Sequence, residues 1–221
     1  MRATTSCRRC GTCCRQGGPA LHGPDLELIR AARLQLDDLI TVRRGELAFQ
    51  PLGSCPEPVH HEFLKLAGQS GTWCCIFYDE TTKGCRHYHD RPMACGVLDC
   101  TDTGPLLELA GQDLLTRFDC LSADDPLLPL IHEHEHSCPC PDLEVIGREL
   151  GLPSTVTVLL ADLEAAVSRD LAFRSRIAAS LHLSLARELF AFGRPLFQLL
   201  LPLGLQAQQT PAGIRLIRTA R

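Results

Sequence analysis

Aromatic residues are scarce in this chain of 221 residues: one tryptophan, two tyrosines and eight phenylalanines make up 5% of it. So thin a set does not build the stacking platforms that bind single-stranded nucleic acid. An excess of positive charge is missing as well. Twenty-two Lys and Arg face 26 Asp and Glu, for a net charge of -4 and a pI near 6.1, which excludes a nucleic-acid binder working through a general basic face. Long apolar runs are absent: Phe197–Leu205 is interrupted by Pro202 and Gly204 and falls well short of the ~18 residues a membrane span requires. Catalytic fingerprints are missing too. There is no G-x4-G-K-[ST], no G-x-G-x-x-G, no G-x-S-x-G and no H-E-x-x-H, so neither a phosphate cradle, a nucleophile elbow nor a zinc-protease helix is expected. The reading leans away from an enzyme.

What the chain does have is cysteine, thirteen in all. The count is odd, and the opening MRATTSCRRC carries arginines but no apolar h-region, so a secretory leader and a disulfide scaffold are not expected. A cytoplasmic location follows as the expectation, because in a reducing compartment clustered thiols bind metal more readily than they pair. Hydrophobic residues at 45% and a mean hydropathy of +0.01 mark an ordinary globular chain.

The thiols are grouped. Cys7, Cys10, Cys13 and Cys14 fall within eight residues, and two cysteines separated by two residues turn both sulfurs toward one ion across a tight turn, here eased by Gly11. Three at that interval are also how bacterial ferredoxins hold most of an iron–sulfur cluster. A second group has its own rhythm: nine residues separate Cys75 from Cys85, nine separate Cys85 from Cys95, and four separate Cys95 from Cys100. Together they supply eight thiols, enough for two tetrahedral four-cysteine sites or for one four-cysteine cluster with ligands to spare. A four-thiolate site holding a divalent ion is formally dianionic, and Arg8, Arg9, Arg15, Arg86 and Arg91 are close enough in sequence to offset that charge; a solvated surface is the equal alternative for them.

These residues carry a resemblance. Cys7-x2-Cys10-x2-Cys13-Cys14, then Cys75-x-Phe77-Tyr78, Gly84-Cys85, Tyr88, Arg91-Pro92, Cys95 and Cys100 are similar to the CxxCxxCC cysteine-cluster family, bacterial proteins regarded as zinc- or iron-chelating. The resemblance spans roughly the first hundred residues. It implies eight shared ligands on Cys7, Cys10, Cys13, Cys14, Cys75, Cys85, Cys95 and Cys100, with zinc or iron bound, the iron reading extending to a [4Fe-4S] cluster. Relatives commonly carry an arginine directly after the cysteine that follows Arg-Pro, where this chain has Gly96.

The fold expected is mainly α within an α+β frame: a loop-rich, metal-stabilised cysteine region over residues 1–105, a helical connector with a His/Cys-rich loop over 106–152, and a helical region over 153–221. Periodicity predicts a helix from Pro24 to Leu39 with Asp25 as its cap, helical spacing within Thr101–Leu121, a helix capped by Ser154 or Thr155 and running to about Ala172 with Val158, Leu159, Leu163 and Val167 inward, and another from Arg174 to Phe192 ended by Gly193. Leu47–Pro51 reads as a strand, Phe63–Leu66 and Cys75–Tyr78 as short strands or buried loop, and GIRLIRTAR as an edge strand or a frayed end. His132, His134, His136, Cys138 and Cys140 form a ligand-rich run whose bland reading is a solvated acidic loop and whose functional reading is a labile metal-loading site. His87 and His89 read as surface polar residues, and Cys55, Cys74 and Cys120 as small buried ones. The leading function is a non-enzymatic metal-binding protein with a metal ion as partner and neither nucleic acid nor membrane. The alternative is an iron–sulfur protein with redox or methyl-transfer-like modifying activity.

Overall fold

Short elements fill the first half of the chain and helices the second. The computed structural model describes residues 7–51, 53–69, 72–152 and 156–219. In order these are α1 (Thr12–Gln16), α2 (Leu26–Arg30), β1 (Leu39–Val42), β2 (Leu47–Phe49), β3 (Pro56–Pro58), β4 (Phe63–Leu66), β5 (Tyr78–Asp79), β6 (Gly84–Cys85), α3 (Met93–Val97), α4 (Gly104–Leu109), α5 (Leu127–Ser137), α6 (Leu143–Glu149), α7 (Val156–Leu181), α8 (Leu185–Phe192), α9 (Leu196–Leu199), β7 (Leu205–Thr210) and β8 (Gly213–Arg218). The strands form four antiparallel pairs, β1 with β4, β2 with β3, β5 with β6 and β7 with β8. The architecture is therefore mixed α+β, where a mainly helical one was expected, because several apolar stretches bounded by turns pair as ribbons. No helix among the described residues is long and apolar enough to cross a membrane.

Two apolar clusters organise these elements. Leu39, Leu64 and Leu66 of the β1–β4 ribbon meet Ile131 of α5, Phe173 and Ile177 of α7, and Phe190 and Phe192 of α8 in the first. All four residues of β1 are buried, since Leu39 pairs with Leu66 on one side and Thr41 donates its hydroxyl to the Phe190 carbonyl at 2.5 Å on the other. The second cluster joins Leu143 and Ile146 of α6, Leu163 and Val167 of α7, Leu196 and Leu199 of α9, and Leu205 and Leu216 of the terminal hairpin. Helix α7 contributes to both.

Several expectations shift. The segment from Pro24 is not one helix: α2 stops at Arg30, Ala32 takes a left-handed φ of 53°, a 3-10 turn covers Leu36–Asp38, and Leu39 opens β1. The run Leu39-Ile40-Thr41-Val42 contains three β-branched side chains, which pack better in a ribbon than on a helix. In Thr101–Leu121 the helix ends at Leu109 and Gly111 turns the chain at φ 73°; Leu115 then bonds back to Leu21 and Leu64. The helix predicted to stop near Ala172 continues to Leu181, so the last helix begins at Leu185, capped by Ser184, whose Oγ accepts from Arg187 N at 3.0 Å. Gly193, at φ 66°, ends it as predicted. Leu163 and Val167 are buried as expected, but Val158 is exposed. The cap at Ser154 or Thr155 lies outside the described residues. The GIRLIRTAR tail supplies β8 of a hairpin.

Charged groups lock this frame. Asp170 of α7 accepts from His134 Nε2 at 2.8 Å, Arg174 Nε at 2.9 Å and Leu196 N at 2.8 Å, while the Arg174 guanidinium donates to the carbonyls of Phe192 and Gly193. Burial would raise the Asp170 carboxyl, but the His134 hydrogen bond and the Arg174 charge prevail and hold it down to about 2. Its folded pKa lies below its unfolded one, so its contribution is present above pH ~4 and is lost as pH falls through 2; a shift of this size is worth about 2 kcal/mol. Burial also lowers the His134 pKa, so acidification below the ordinary imidazole value favours the unfolded chain further. Urea unfolding at pH 5 and pH 3 should show a steeper loss of stability for the wild type than for Asp170→Asn.

Candidate metal centre

Each cysteine segment is positioned by a local device. Gly11 sits at φ 77° just before α1, a left-handed turn that glycine adopts without strain, and α1 carries Cys13 and Cys14. The Cys14 carbonyl accepts from Cys75 N at 2.7 Å, stitching the first group to the second. Tyr78 of β5 lies opposite Cys85 of β6. Pro92 precedes α3, which carries Cys95, and Met93 N donates to the buried Asp25 carboxylate at 2.7 Å. That anchor explains Asp25, which caps its own 3-10 turn through His22 N at 2.9 Å and fixes the start of the Cys95 helix with its other oxygen.

The result is a cavity of about 50 Å³ lined by Cys7, Cys10, Cys13, Cys14, Cys85, Cys95 and Cys100. Cys75 does not line it but is buried close behind: its charge acts on Cys14 and Cys95. Of the eight predicted residues, seven thus meet at one cavity and the eighth backs it. Exposure is graded, with Cys10 and Cys100 outermost and Cys75 innermost. The sulfurs gather without closing on a single ion. Among the described residues no three of them lie within 4.8 Å of one another, so coordination at sulfur–metal distances near 2.3 Å requires their side chains to turn inward.

The electrostatics agree with that crowding. The hydrogen bond from Cys14 lowers the Cys13 thiol to about 6, and the same bond raises Cys14. Burial, reinforced by neighbouring sulfurs, raises Cys75, Cys85, Cys95 and Cys100, while the Thr12 hydroxyl lowers Cys10. Eight thiols cannot ionise together here without a cation; the donor set, all sulfur, suits zinc or iron. The arginines divide. Arg91 lowers Cys85 and Cys95, and Arg8 lowers Cys100. Arg9 and Arg91 place their guanidiniums 4.1 and 4.0 Å from the Tyr88 ring centre, clamping the Cys7–Cys14 segment to the Cys85–Cys95 loop. Arg15 instead pairs with Glu80 at 3.0 Å and donates to the Tyr78 hydroxyl at 2.9 Å.

Both tyrosines of this aromatic-poor chain line the cavity. In the sequence both stood only as elements of the family motif, with no role attached to either. A methyl group on Gly11 would stand 2.2 Å from the Tyr78 hydroxyl oxygen at a φ of +77°. Gly11→Ala is therefore expected to cost about 1–3 kcal/mol in urea unfolding, with the tyrosine displaced from the thiols.

Other predicted ligands lie elsewhere. The His132–Cys140 run is not a solvated loop: α5 extends through Ser137, His132 stacks on Phe118, His136 is exposed, and His134 is fully buried. Apolar Leu127 and Ile131 on the buried face of α5 carry His134 inward with them. His87 lies against Phe77 with ring centres 3.9 Å apart and planes tilted by 36°, and His89 sits edge-on to Tyr88. Cys55 is exposed where burial was expected, whereas Cys74 and Cys120 are half-buried.

Residues 6–109 match the model of the CxxCxxCC family, described as a putative zinc- or iron-chelating domain. This stretch is similar to that domain over just under half of the chain. It contains all eight cysteines around the cavity and closes with α4, while α5–α9 and the terminal hairpin lie beyond the match. No curated protein and no solved structure gives a significant match to the chain. Metal binding is thus the activity for which the family, the donor set and the CxxCxxCC geometry agree.

Proposed function

We propose that this is a cytoplasmic metal-binding protein whose CxxCxxCC domain holds zinc or iron through eight cysteines in two four-sulfur sites. The observation that carries the reading is the convergence of seven cysteines, drawn from positions 7 to 100, on one cavity with the eighth directly behind it. We assign Cys14, Cys75, Cys85 and Cys95 to an inner site, since the charge of Cys75 acts on Cys14 and Cys95 and that of Cys85 on Cys75 and Cys95. Cys7, Cys10, Cys13 and Cys100 go to an outer one, which holds two exposed thiols, Cys10 and Cys100, while the charges of Cys7 and Cys13 reach the inner set. Bound metal in closed four-sulfur sites contributes folding free energy directly. That fits a region whose own strands are two to four residues long.

Metal analysis with a visible spectrum, on protein purified without oxygen or added metal, tests this. Two zinc per chain and a featureless spectrum are expected for structural or chelating sites. Iron with equal acid-labile sulfide and a broad band near roughly 400 nm moves the same cysteines to iron–sulfur chemistry, a reading the C-x2-C-x2-C spacing favours. Protein that retains no metal overturns the proposal.

A further inference from the structure

Apart from the cysteine-lined cavity, the chain holds a larger one of about 310 Å³ beside α7, the size of a small-molecule site. Leu159, Asp162, Leu163, Ala166, Arg169 and Asp170 line it from that helix. These positions recur every three or four residues, so one face of α7 forms a wall about 16 Å long. Ala166 stands mid-wall, and its single methyl leaves open the space a longer side chain would fill. The loop after α5 faces it with Pro139 and Pro141, whose ring nitrogens carry no hydrogen to donate. Ile146 of α6 and Leu196 of α9 complete an apolar slot. All of these walls lie beyond residues 6–109, so the slot belongs to the part of the chain that the cysteines leave without a role.

Four polar side chains reach the slot, and two are already committed. Asp170 accepts from His134, Arg174 and Leu196 N, and the Cys138 sulfur lies 3.7 Å from the Ser137 hydroxyl. Arg169 and Asp162 remain. Both are exposed, and neither has a hydrogen bond or an ion pair among the described residues. They stand seven residues apart, about 10 Å along α7. Arg169 marks the Cys138 end, since its positive charge acts on that thiol, and Asp162 marks the other. An apolar slot with a free guanidinium at one end and a free carboxylate at the other selects an elongated apolar ligand that is anionic at one end only.

We propose that this cavity binds a free medium-chain carboxylate of about eight carbons, the length that spans the distance between those two charges. The Arg169 guanidinium donates two parallel N–H bonds to the ligand's carboxylate oxygens. The alkyl chain runs past Ala166 and Leu163 toward Leu159, covered from the other side by Ile146 and Leu196. Asp162 turns away the reversed orientation by like charge.

Isothermal titration calorimetry of the full-length protein, as purified, with butanoate, hexanoate and octanoate tests this. Octanoate should bind once per chain, and each pair of methylenes removed should weaken binding about tenfold. Arg169→Gln should weaken octanoate by about tenfold or more while leaving the weaker binding of octanol unchanged. Ala166→Phe should abolish both by filling the slot. Arg169 is exposed, so its replacement leaves the fold intact, and that comparison stands even where Ala166→Phe fails to fold. Octanol or octylamine binding as tightly as octanoate, octanoate binding unchanged in Arg169→Gln, or no saturable binding of octanoate overturns the proposal.

Discussion

A Cys95→Ser protein is expected to lose about one of its two metal equivalents and to loosen the CxxCxxCC domain, while Cys55→Ser keeps both. Cys95 stands on α3 behind Arg91-Pro92, and the sulfurs whose charges act on it are Cys75, Cys13 and Cys85. In the proposed inner site it would link segments far apart in sequence. Losing an outer partner of a metal ligand typically costs 10–100-fold in affinity; losing the ligand itself should exceed about 100-fold. Structural four-ligand sites carry roughly 10–16 kcal/mol of apparent binding free energy, so local unfolding is expected on the thiol side. The cluster formed by α6, α7, α9 and the terminal hairpin shares no residue with the cavity, so most far-ultraviolet helical signal should survive. Inductively coupled plasma mass spectrometry and circular dichroism on the two variants read both effects. Full metal content in Cys95→Ser would remove this residue from the ligand set.

The second large effect is at Arg117, whose side chain is fully buried. Its guanidinium pairs with Glu62 at 2.8 Å and with Glu135, and donates to the Ala191 carbonyl at 2.5 Å. One side chain thus joins the segment entering β4, helix α5 and the end of α8. Arg117→Ala leaves the half-buried Glu62 and Glu135 without their cation and one buried carbonyl without its donor. Removing one partner of a buried ion pair costs about 3–5 kcal/mol. In a chain of this size each kcal/mol moves the melting temperature by about 2–4 °C, so a fall of roughly 6–20 °C is expected by calorimetry. Arg117→Lys should recover little, because a single ammonium cannot span three acceptors lying in different directions. A melting temperature within 2 °C of wild type, at the limit of about 1 kcal/mol, would contradict this assignment.

The candidate site was legible because its chemistry is written in residue type and spacing. Eight cysteines in two groups announced a metal, and seven of them meet around one cavity. The supports were not legible, because they are tertiary. Asp25 looked like an ordinary helix cap, yet its second oxygen holds Met93. Tyr78 and Tyr88 were motif positions without a role until they packed on Gly11 and between two arginines. Helix limits failed where competing demands won: Leu39–Val42 is claimed by β4 as a partner, and no local stop signal ends α7 before the left-handed His182. His134 was misread because alternating Glu and His looks solvated in sequence, whereas helical phase places His134 alone of the three histidines in the core.

X-ray absorption at the K-edge of the bound metal tests the central claim most directly. The account predicts a first shell of about four sulfur scatterers, near 2.3 Å for zinc, with no light-atom shell and no imidazole multiple scattering. A shell containing nitrogen or oxygen from histidine or carboxylate would contradict it and place the metal away from the eight cysteines.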